Sequence, residues 1–181
     1  MRLADLSESY WDDDEVQRAL APLLPEERRN PRDAGNALTM LVHHPKLARV
    51  FLRFNVQLLY GSSLPAQLRE LAILRTAYRR NCEYEWVHHV TMGKEAGLTD
   101  SDIEDLQHGA GRDELHQAVI NAADELDEAS RLSPATEAVL SQHLDEHQLM
   151  ELVFTVGCYT MLAMAFNTFG VELDEKPESG R

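Results

Sequence analysis

Apolar residues recur at spacings of three and four along most of this 181-residue chain, and no stretch alternates long enough to mark a strand. Leu47, Val50, Phe51, Phe54, Leu58 and Leu59 predict a helix over 46–60, which Gly61-Ser62-Ser63 stops. Pro65 then sits in the first turn of a helix bearing Leu68, Leu71, Ala72, Ile73, Leu74 and Ala77. Asn81 marks a break, and the next helix runs from Cys82 to about Glu95, before Ala96-Gly97. Thr99-Asp100-Ser101-Asp102 caps a short helix through Gln107. Leu115, Val119, Ile120, Ala122 and Leu126 line one side of a helix over 113–129, and Ser133-Pro134 opens another ending near Leu144. Upstream, helices are expected over 14–21 and 33–43, the second ending before Pro45, with 26–31 as a linker. The expectation is an all-α bundle of about eight helices.

The last predicted helix, 146–169, is apolar nearly all round from Leu152 to Phe166. The run is broken by Thr and Gly and falls short of the about 20 residues that a membrane span needs. It reads as a core helix or a subunit contact. Gly157, Ala163 and Ala165 would allow close helix approach, and Cys158 reads as structural.

Polar chemistry concentrates between Arg69 and His89. At about 100° per residue, Glu85 falls roughly 60° and His89 roughly 20° from Cys82 around the helix axis, and Trp86 lies about 40° to the other side. His88 points about 120° away. A thiol, a carboxylate and an imidazole beside an indole form a candidate acid/base or nucleophile site. A helix N-terminus and a protonated His89 would favour the Cys82 thiolate, whereas Glu83 and Glu85 oppose it. The bland alternatives are a small buried cysteine and a solvated Glu–His pair. Periodicity by itself puts Glu70 at the edge of an apolar stripe. Arg75, Arg79 and Arg80 read as paired with nearby acids, or as partners for an anionic substrate.

The run Leu68-Arg69-Glu70-Leu71-Ala72-Ile73-Leu74, then Cys82-Glu83-Tyr84-Glu85-Trp86-Val87-His88-His89 and Ala96-Gly97-Leu98, resembles the carboxymuconolactone decarboxylase family, which includes the alkyl hydroperoxide reductase D-type proteins. The likeness extends from His43-His44-Pro45 to Asn167-Thr168-Phe169-Gly170-Val171. It implies a multi-helix bundle of that type over 31–174, with 1–30 as an N-terminal extension and 175–181 as a flexible tail. It implies Glu70, Cys82 and His89 as active-site glutamate, first cysteine and histidine. Peroxidase-type members carry a second cysteine where this chain has Glu85, so Cys82 cannot close a disulfide within its own helix. The expected activity is thiol-dependent peroxidase chemistry at Cys82 with His89, Glu70 and Glu85, an external thiol as reductant, and Trp86 and Tyr84 against the substrate. Decarboxylation or lactone processing by His89 and Glu70, and a non-catalytic ligand-binding oligomer, are the alternatives. Self-association into dimers, trimers or hexamers is also implied.

A net charge of −14 argues against nucleic acid and anionic membrane surfaces as partners, and the family resemblance implies a small-molecule substrate. Two cysteines far apart make no disulfide framework, which points to a reducing cytoplasm. Neither paired histidines nor Cys82 sit at a zinc-binding spacing, and no glycine-rich phosphate loop or serine elbow is present, so no metal or cofactor is expected.

Overall fold

A computed structural model describes residues 2–174, and among these every regular element is helical. Nine α-helices follow one another: α1 Asp14–Leu20, α2 Pro31–Leu41, α3 Pro45–Tyr60, α4 Ala66–Arg79, α5 Glu83–Glu95, α6 Asp100–Gln107, α7 Glu114–Ala129, α8 Pro134–Leu140 and α9 Glu146–Phe169. Short 3-10 turns at Glu8–Asp12 and Glu26–Arg28 precede α1 and α2. The expected tail over 175–181 lies outside the described residues.

The chain forms two compact units. One takes in residues up to Gln57 together with those from Phe166 onward; the other is Leu58–Ala165. In the first, Trp11, Val16, Leu20, Ala34, Leu38, Val42 and Leu52 form a core. Asn30 caps α2 by accepting from the Asp33 N–H at 3.0 Å, and Pro31 occupies the first turn, so α2 starts inside the predicted linker. Gly35, with φ of 73°, kinks that first turn, and Asp174 packs over it to accept from the Asn36 N–H at 2.7 Å.

The second unit is built round α4, which packs against α5, α6 and α7. Leu68, Leu71, Ala72 and Leu74 join Leu106, Val119, Ile120, Ala122, Leu140, Leu152 and Val156 in its core. Arg75 is buried within this unit, donating to both Asp124 oxygens at 2.7 and 2.8 Å and to the Leu106 and Gln107 carbonyls that end α6. One guanidinium thereby ties three helices together. Arg79 pairs with Asp127 and Glu128, and Arg80 with Asp127. These arginines are held by the acids of α7.

The α4–α5 connection sets the site. Asn81 takes the left-handed conformation, φ 49°, and turns the chain so sharply that Cys82 N–H reaches the Ala77 carbonyl at 2.9 Å. Gly93 lets α5 approach α4 closely, because a Cβ there would lie 3.1–3.2 Å from Leu98 and Leu74. Gly97, φ 97°, closes α5 with the Leu98 N–H bonded to the Gly93 carbonyl. Only α9, among the described helices, has the length and composition of a membrane span, with a mean hydropathy of 1.7, and 44% of that window is buried within the protein.

Candidate active site

Glu70 on α4 and Glu85 and His89 on α5 meet in the interior of the second unit. All three are buried, Glu70 with only 1% of its surface exposed. His89 Nδ1 lies 2.6 Å from Glu70 Oε2, and Nε2 lies 3.2 Å from Glu85 Oε2. Each ring nitrogen can donate to a carboxylate only if the imidazole is protonated. Burial lowers the His89 pKa, but the hydrogen bonds and charges of Glu70 and Glu85 outweigh it and raise the pKa to about 9. Arg69 Nε donates to the other Glu70 oxygen at 3.2 Å from a largely buried side chain. The result is a chain of alternating charge, Arg69–Glu70–His89–Glu85, with two cations and two anions. Such balance is what allows four charges to remain ionised away from water. The Tyr159 ring of α9 stands edge-on to His89 at 4.9 Å and 89°, fixing the imidazole plane from the side.

Cys82 lies beside this chain, where the charge of Glu85 reaches it. It is the N-cap of α5 with extended backbone, φ −95° and ψ 90°, rather than a residue of its first turn. The thiol is 1% exposed, and burial pushes its pKa up. The Glu85 and Tyr84 N–H groups at the helix start act to lower it, while the Glu85 carboxylate raises it, and the balance is upward. The His89 charge, which the helical-wheel argument enlists for the thiolate, is instead engaged by Glu70 and Glu85. Residues 83 to 89 share one helix, and Cys82 lies just outside it.

Above Cys82 is a shallow opening of about 340 Å³, lined also by Ala77, Tyr78, Asn81, Glu83, Trp86 and Gln107. Trp86 is half-buried there, its ring 5.8 Å from that of Tyr78. Tyr84 is turned from the opening and stacks on His88 at 4.1 Å. Of the sequence candidates, Glu70 and Glu85 thus each contact His89, Cys82 and Trp86 line the opening, and Tyr84 is beside His88. Arg69 and Tyr159 were not among those candidates. Adjacent helical positions such as 69 and 70 do not normally face one another, and Tyr159 comes from a helix seventy residues on.

The model of the carboxymuconolactone decarboxylase family matches residues 45–128, which hold all of α4 and α5. A crystal structure described as an alkylhydroperoxidase AhpD core, an uncharacterized peroxidase-related protein from Ralstonia eutropha JMP134, is similar to this chain with a TM-score of 0.77. The match covers 96% of this chain and 92% of that one at 18% identity, a likeness of fold. No curated protein matches the chain. The fold is thus AhpD-like, and the segment that holds α4 and α5 is similar to the carboxymuconolactone decarboxylase family.

Proposed function

We propose that the protein is a thiol-dependent peroxidase in which Cys82 is the reacting sulfur and Glu85, His89 and Glu70 form its proton relay. One observation carries the reading: beside the buried chain from Arg69 to Glu85, the Cys82 thiol, on which the Glu85 N–H and carboxylate both act, lines an opening. A raised thiol pKa means that the resting sulfur is protonated, so it needs a base at the moment of attack. Glu85, one turn along α5 and backed by the His89 imidazolium, is that base. Sulfur attacks the distal oxygen of a hydroperoxide, the S–O bond forms and the O–O bond breaks. The thiol proton passes through Glu85 to the departing alkoxide, giving a sulfenic acid and an alcohol. An external thiol then condenses with the sulfenic acid, releasing water, and a second reduces the mixed disulfide to restore Cys82. Both cysteines of the chain are buried thiols, which fits catalysis in a reducing cytoplasm.

The test is peroxide consumption with an added thiol, coupled to mass-spectrometric trapping of sulfenic acid at Cys82. Cys82→Ser should abolish both, and Glu85→Gln should slow the first step by about 10²–10⁴-fold, the ordinary contribution of a general base. Consumption that survives Cys82→Ser removes this reading.

A second reading draws on the thiol's upward shift, which is opposite to that of a resting nucleophile. In it, the relay delivers and retrieves a proton on a small carbonyl or lactone substrate, with decarboxylation or ring opening as the reaction and Cys82 as a bystander. Turnover of such a substrate by Cys82→Ser, lost in His89→Gln, would select it.

A further inference from the structure

We infer that the opening above Cys82 takes the flat body of an organic molecule that is uncharged or positively charged, and refuses carboxylate and phosphate anions. The inference deepens the reading of Cys82 as the reacting sulfur and rests on it for the word substrate; the selectivity itself stands on the walls. Tyr78 and Trp86 meet there with their ring planes 54° apart, which makes an aromatic corner for one flat group. Asn81 and Gln107 add neutral donors and acceptors. The one charged residue of the lining is the exposed Glu83, a carboxylate beside two π faces, the pairing that favours a cation.

No cation among the described residues lines the opening to balance an anion. Arg75 and Arg79, on the same helix as Tyr78, are held by Asp124, Asp127 and Glu128, and Arg80 by Asp127. Arg69 is spent on Glu70. A helix N-terminus would ordinarily attract an anion. Here two N–H groups of the first turn of α5, those of Tyr84 and Glu85, act on the Cys82 sulfur, and Glu85 adds negative charge beside it. An anionic substrate would therefore face like charge with no compensation. A hydroperoxide on a neutral aromatic body meets no such barrier.

Binding of three probes of matched size, benzyltrimethylammonium, benzyl alcohol and phenylacetate, tests this without any turnover. The Trp86 indole N–H resonance, assigned with Trp86→Phe, reports occupancy. The cation and the alcohol should each bind wild type at least about 10-fold more tightly than phenylacetate, a margin set by cation–π attraction and like-charge repulsion. Glu83→Lys, at an exposed position, should reverse the order of the two ions. Equal or tighter binding of phenylacetate, an order unchanged in Glu83→Lys, or no movement of the Trp86 resonance with any probe overturns the inference. The expected order in a protein inert to peroxide would overturn only the peroxidase reading and leave the selectivity standing. Cys82-dependent peroxide turnover with no charge preference would do the reverse.

Discussion

His89 is the residue on which the interior balance turns. Folding lifts its pKa from 6.5 to about 9, so its ionic bonds stabilise the protein fully below about pH 6.5 and that contribution is lost as pH rises through 9. The free energy of unfolding should therefore fall across this window by on the order of 3 kcal/mol at most, and urea titrations at pH 6 to 10 should show the slope vanish in His89→Gln. Glu70→Gln leaves Arg69 and His89 facing a neutral amide, and should cost about 3 kcal/mol at pH 7, read from the urea midpoint. Part of this site was legible in sequence. The spacing of four between Glu85 and His89 brings both onto one flank of α5, where they pair. Glu70 was not legible from periodicity, which treats a carboxylate among leucines as an edge residue; only partners contributed by Arg69 and another helix make its burial tolerable. Cys82 illustrates a different limit. One residue of helix more or less decides whether a side chain shares a face with its neighbours or caps the helix, and end positions are where pattern reading is weakest.

At the level of elements, punctuation residues did most to fix the boundaries. Thr99 and Asp102 form a reciprocal capping box at the start of α6, and Ser133 caps α8, each where the sequence places them. The boundaries that moved did so for local reasons. α2 begins at Pro31 because Asn30 supplies its cap, and α8 ends at Leu140 because the segment after it turns before Asp145 and Gln148 start α9. Asp113 caps α7 through the His116 N–H at 2.8 Å, and this bond and that of the His116 ring bring its pKa down to about 2. The α6–α7 connection also has no room for a side chain at Gly111, where a Cβ would lie 2.3 Å from the Gln117 nitrogen and 2.7 Å from its Cα. Gly111→Ala should push this loop off α7 and destabilise the fold by about 1–3 kcal/mol, visible as a lower Tm.

On the scale of the molecule, α9 presents Met150, Phe154, Gly157, Met161 and Met164 at alternating spacings of four and three, and each of the four side chains is about half exposed. That is the seam of a coiled coil, and a Cβ at Gly157 would meet nothing within 4 Å, leaving a hollow at its middle. No charged residue lies between Glu151 and Glu172, so copies of a chain of charge −14 can meet along this stripe without opposing like charges. We propose self-association through it. Sedimentation should give a mass above the monomer for wild type and the monomer mass for Phe154→Glu/Met161→Glu; a wild-type chain that stays monomeric at every concentration would sink the idea. The apolar character of this helix was plain in the sequence, but which of its sides faces outward was not, because a helix that is oily all round carries no pattern to read.

Glu85 has one more consequence under the thiol reading. A sulfur with a resolving neighbour settles its own debt within a single helix turn, at a pace its surroundings do not set. Here the nearest answer to an oxidised Cys82 must arrive by collision. The lifetime of that species then tracks how much reductant the solution holds, and the protein becomes a gauge of its environment as much as a remover of peroxide.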